Sequence, residues 1–172
     1  RDLLTAALLR ALDALDVHTE VALWVHGDGV NGDDASVIEV VPSGRLEDRR
    51  AQLRSALHQL PPSEGRATAE AITSAFAAMV DTHDASRINA VLVVGPGHDR
   101  EAPDSIDALV AAVERHHATT VPRPVRLFTV GFGPDAELTT LRRLAVASGA
   151  TSYNASEPHS IDAVIDAAMA NF

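Results

Sequence analysis

The residues with the most chemical potential follow an apolar run, Ile88 to Val94, and read Gly95, Pro96, Gly97, His98 and Asp99. An imidazole beside a carboxylate invites a search for a metal ion, although His favours softer metals and loop carboxylates are mostly just solvated. Pro96, between the glycines, offers no oxygen beyond its own carbonyl and no charge. A continuous apolar run ending in such a turn predicts a parallel strand buried on both faces. The turn then lies at the carboxyl edge of the sheet, where α/β proteins keep their sites. His26 and Asp28 end an adjacent strand on the same rim.

Other constellations carry less. Gly131, Gly133 and Ala136 form G-x-G-x-x-A after a strand, the pattern of a dinucleotide-binding turn, with Glu157 beyond the next strand as a candidate ribose ligand. Against this, Pro134 removes an amide donor at the helix mouth and Asp135 places negative charge where a pyrophosphate would sit. A tight turn is the simpler reading, and a nucleotide-binding α/β protein or enzyme using Gly131-Phe132-Gly133 stands as the alternative. None of the eight His falls in H-E-x-x-H, and no Ser lies in a G-x-S-x-G elbow. We therefore expect a protein that is not an enzyme.

The formal net charge of -10 argues against a nucleic-acid backbone or an anionic membrane surface as partner. Without Cys there is no disulfide, thiolate zinc site or cysteine nucleophile. No apolar run approaches the length of a bilayer span, so we expect no direct membrane insertion by this domain. All 14 basic residues are Arg, as expected of a GC-rich bacterial genome.

These residues need elements to position them. The 172 residues suit one domain, with a core of Ala, Val, Leu and Ile because aromatics make up 3%. Apolar positions from Leu3 to Leu15 recur at helical spacing, and Val21 to Val25 reads as a strand that carries Trp24 as a core or helix-packing residue. Asp28 to Asp34 is a turn, and Ser36 to Val41 is an antiparallel edge strand ended by Pro42, Ser43 and Gly44. Helices follow at Leu46 to Leu60, Thr68 to Val80 and Pro103 to His117. The last elements are a strand at Val125 to Val130, a helix opened by Pro134 and closed by Gly149, a strand at Thr151 to Asn154, and a helix at Ser160 to Met169. The alternation predicts an open, doubly wound, mainly parallel α/β sheet with one antiparallel edge strand and helices on both faces.

The order and wording of these segments resemble the von Willebrand factor type A domain over nearly the whole chain. The resemblance rests on VALWVHGDG (Val21 to Gly29), PPSEGRATAEAI (Pro61 to Ile72), NAVLVVGPG (Asn89 to Gly97) and VRLFTVGFGPDAELTTLRRLAVASGATSYNAS (Val125 to Ser156). It is closest to exported actinobacterial copies, which implies a module excised from a longer protein and an extracytoplasmic or cell-surface location. In that family a hard cation is held by oxygen ligands from three loops and reaches an acidic group on a partner. The loop Asp-x-Ser-x-Ser would follow a first strand that the sequence does not display, a strand that in this family lies mid-sheet. The second loop would supply a Thr where this chain has Arg66 or Ala67, or Thr68 if the alignment shifts. The third would supply an Asp where Pro96 stands. The resemblance so implies a degenerate, metal-free adhesion site without cofactor, in a protein-binding module of unknown partner, with rim residues His26, Asp28, Arg66, Thr68, Gly95, Pro96, His98, Asp99, Gly133 and Asp135.

Overall fold

The structure, a computed structural model, describes residues 2–27, 36–60, 68–97, 103–119 and 123–171. The chain opens with α1 (Asp2–Ala14), whose Ala7, Ala11 and Leu12 are buried as their helical spacing requires. It continues through β1 (Glu20–Gly27), β2 (Ser36–Arg45), α2 (Leu46–His58), α3 (Thr68–Asp81) and β3 (Ala90–Gly95). Then follow α4 (Pro103–Thr119), β4 (Arg126–Phe132), α5 (Leu138–Ala147), β5 (Ser152–Ala155), a 3-10 turn and α6 (Ile161–Met169). The fold is α/β: β3, β4 and β5 form a parallel sheet in that order, and β1 pairs antiparallel with β2.

The parallel strands alternate their side chains between two helical layers. On one face Val91 and Val93 of β3 and Leu127 of β4 pack with Ile72 and Phe76 of α3, Val113 of α4 and Leu144 of α5. On the other, Leu92, Val94 and Val130 meet Ala7 of α1 and Ile161 and Ile165 of α6. A third cluster joins Leu12 of α1 and Leu46, Leu53 and Leu57 of α2 to Val41 of β2, with Val21 and Leu23 of β1 against it. Leu8 of α1 belongs to both the second and third clusters, so this helix fastens the two sheets together from one side.

Three readings of the sequence are corrected. β2 does not stop at Val41 but runs to Arg45, because Pro42 falls in an irregular stretch of an edge strand, where a missing N–H breaks no needed ladder bond. α5 begins at Leu138, not at Pro134: Ala136 N–H donates to the Gly133 carbonyl (3.3 Å), and this turn occupies the residues between strand and helix. β3, expected to be buried on both faces, is half-buried at every position, while β4 is buried from Leu127 to Gly131. The difference is one of pairing: among the described residues, β4 has a strand on each side and β3 pairs with β4 alone. The expected turn Asp28 to Asp34 lies outside the described residues.

Candidate functional site

The carboxyl rim is shaped by glycine at the end of β3. Gly97 has φ +77°, and a Cβ there would overlap the side chain of Leu141. Glycine satisfies both demands, the left-handed backbone and the close approach to α5. One residue earlier, the Pro96 carbonyl accepts the Glu137 N–H at 2.7 Å. That bond ties the turn after β3 to the residue that precedes α5. Gly133 also has positive φ, +97°, but no atom lies within 4 Å of its missing Cβ, so the turn after β4 is open and leaves Asp135 exposed.

His26, near the end of β1, is half-buried, and its Nε2 lies 4.0 Å from the position a Gly95 Cβ would take. Thr68 is the first residue of α3 and is 2% exposed. Its Oγ1 is buried and has no hydrogen-bond partner among the described residues. Because α3 leads into the parallel strand β3, its start stands at the carboxyl end of the strands, on the same rim as His26, Gly95, Pro96, Gly133 and Asp135. Asp28, Arg66, His98 and Asp99 lie outside the described residues.

Two perturbed titratable groups, His116 and Asp84, lie at the opposite, amino edge. Burial holds the His116 imidazole below its ordinary pKa, reinforced by the nearby His83 and His117, and its Nε2 accepts the Val125 N–H at 3.3 Å. Asp84 is held below the usual carboxylate range by the Ser86 hydroxyl (2.6 Å) and the Ser86 N–H (2.8 Å), with a smaller contribution from Arg87. Asn89, buried beside them, donates to the Asp84 and Arg87 carbonyls and accepts the Asp84 N–H. These groups fix how the chain enters β3 and β4.

The glycine pattern after β4 has a packing explanation. A Cβ on Gly131 would overlap Leu138 and come within 3.1 Å of Leu141, so the missing side chain makes room for α5 and not for a phosphate. The helix mouth lies beyond Pro134 and Asp135, with Glu137 at its N-cap position. Sequence reading overlooked Glu137 and Leu141 as partners of the Gly95 to Gly97 turn. The available signal was the apolar spacing Leu138, Leu141, Leu144, which starts after Glu137.

No protein-family model matches the sequence, and no curated protein matches it. Solved structures do. A structure described as von Willebrand factor type A from Catenulispora acidiphila superposes with a TM-score of 0.76 at 21% identity, covering 98% of this chain. This chain has the fold of a von Willebrand factor type A domain. It spans 37% of the length of that Catenulispora chain. An aerotolerance-related membrane protein from Bacteroides fragilis matches with a TM-score of 0.64 at 12% identity, over 99% of this chain and 88% of that one. The conserved hypothetical protein BatB from Bacteroides thetaiotaomicron gives 0.63 at 15%, over 98% and 87%. Among the described residues, no helix is long and apolar enough to cross a membrane.

Von Willebrand A domains that hold a hard cation require several oxygen ligands around it. The Pro96 carbonyl accepts the Glu137 N–H. Among the described residues no three His, Asp or Glu side chains are grouped so as to hold a metal.

Proposed function

We propose that this von Willebrand A-like domain is a noncatalytic protein-binding module whose carboxyl rim engages its partner by shape and polar contacts, without a bridging metal ion. The supporting observation is the 2.7 Å hydrogen bond from the Glu137 N–H to the Pro96 carbonyl. It directs the one oxygen that Pro96 contributes toward the backbone of the neighbouring loop. The surface offered to the partner is His26, Asp28, Arg66, Thr68, Gly95, Pro96, His98, Asp99, Gly133 and Asp135. The partner is another protein, at an extracytoplasmic or cell-surface location, where the domain acts as one part of a longer chain.

Calorimetric titration with Mg²⁺, Mn²⁺ and Ca²⁺ tests the metal-free reading, and no saturable heat is expected. Binding in the micromolar range would overturn it. Thermal-shift measurements with NAD, NADP and ATP test for a nucleotide site, because a ligand that binds the native state raises the melting temperature by mass action. The expected result is no shift.

A further inference from the structure

The segment that leads into β4 is held by two histidines with opposite hydrogen-bonding roles. Pro124 lies at its centre and has no N–H to give. The carbonyl before it, on Arg123, accepts a hydrogen bond from Nε2 of His83 at 2.7 Å. The N–H after it, on Val125, donates to Nε2 of His116 at 3.3 Å. His83 stands in the turn after α3 and His116 in the last turn of α4, so the two rings reach one short segment from different elements.

These roles fix the protonation that each ring needs. A carbonyl only accepts, so His83 carries a proton on Nε2, and it keeps that proton in both its neutral and its cationic form. A backbone N–H only donates, so Nε2 of His116 must be unprotonated, which the neutral ring allows and the imidazolium does not. Acid therefore preserves one bond and abolishes the other.

The surroundings of His116 oppose its charge. From α3 the ring meets Phe76 edge to face, with centroids 5.3 Å apart. The charges that act on it are those of His83 and of His117, its neighbour on α4, and both become cations in the same pH range. Asp84, the carboxylate of the turn after α3, is engaged by Ser86 and by Arg87 at 3.3 Å. At the start of β4 the charged groups are the cations Arg123, directed at the Ser86 carbonyl at 2.7 Å, and Arg126. The turn between α5 and β5 presents Gly149 to the His117 ring. Val125 itself is fully buried in the cluster that contains Phe76, Leu109 and Val113, so loss of its acceptor loosens an apolar contact.

We propose that His83 and His116 form an acid-sensitive clamp on the residues entering β4: acid opens the His116 side and uncovers Val125, while His83 keeps the Arg123 carbonyl. The clamp stands at the amino edge of the parallel sheet, opposite the rim.

NMR of the 172-residue chain tests this between about pH 7.5 and 5, where histidine titrates. Protection of the Val125 amide, corrected for its intrinsic exchange rate, is expected to fall at least about threefold in step with the titration of the His116 Cε1–H resonance. Val125 should exchange faster than Val130, in the middle of β4, because the opening is local. His116→Gln should abolish the pH dependence, since its amide oxygen accepts without titrating. His83→Gln, whose amide still donates to the Arg123 carbonyl, should move the fall to higher pH, because a repelling cation is gone. Five results would each overturn the proposal: Val125 protection independent of pH, a fall that follows another histidine, exchange no faster than Val130, a pH dependence retained in His116→Gln, or a His83→Gln profile that stays in place or moves to lower pH.

Discussion

A single methyl group distinguishes the two positive-φ glycines of the rim. Gly97→Ala must bear both the left-handed backbone, roughly 1–2 kcal/mol, and overlap with Leu141, which adds about 1–3 kcal/mol, so a loss of about 2–5 kcal/mol is expected. Gly133→Ala meets open space and bears the backbone part alone, roughly 1–2 kcal/mol. Urea denaturation of the two variants checks the ranking. His116 supplies the pH-dependent contribution. Its neutral ring accepts the Val125 N–H, and its pKa is lowered on folding, so the unfolded chain takes up a proton first. Its stabilising effect is complete above the ordinary His value of 6.5 and is lost as pH falls through the lower folded value. Denaturation midpoints between about pH 7.5 and 5 should therefore fall, and fall less in His116→Gln, whose amide oxygen still accepts but does not titrate. Of the rim residues, Pro96 was legible in the sequence because its chemistry is a matter of side-chain type. Glu137 was not, since its part is played by a backbone N–H that any residue except proline carries.

At the scale of elements, hydrogen bonds outside the ladders decide where strands and helices end. β5 pairs with β4 from Thr129 onward, so Leu127 has no β5 residue opposite it. Buried Ser148, at the C-cap of α5, replaces that partner: its Oγ accepts the Leu127 N–H at 2.8 Å and donates to the Ala145 carbonyl at 2.9 Å. Ser148→Ala leaves the Leu127 N–H unpaired and should reduce stability by about 1–3 kcal/mol, with faster exchange of that amide. The helices were readable because their apolar spacing is periodic, as Ile72 and Phe76 in α3 or Ile106, Leu109 and Val113 in α4 show. The start of α5 was not, because proline at a first turn is a good helix signal that the Gly133 turn and the Glu137–Pro96 bond override. β3 illustrates the same limit. Its composition is that of a doubly covered strand, but how deeply it is buried depends on the strand beside it.

For the whole molecule, the alternation of strands and helices and the serial order of segments carried the architecture, and the solved von Willebrand A structure confirms it at 21% identity. The division into two sheets was not written in any local pattern. It follows from which edges meet, and it places His26 of β1 and Gly95 of β3 together on a rim shared by both sheets. Asp28, Arg66, His98 and Asp99 complete the proposed surface from segments outside the described residues. A rim that recognises its partner without a metal should be indifferent to divalent cations. The direct measurement is the line width of the Thr68, Gly95 and Gly97 amide resonances during titration with Mn²⁺, a paramagnetic ion. The account predicts weak, nonsaturating broadening spread over the acidic surface. Selective broadening of these rim amides that saturates at micromolar Mn²⁺ would contradict it.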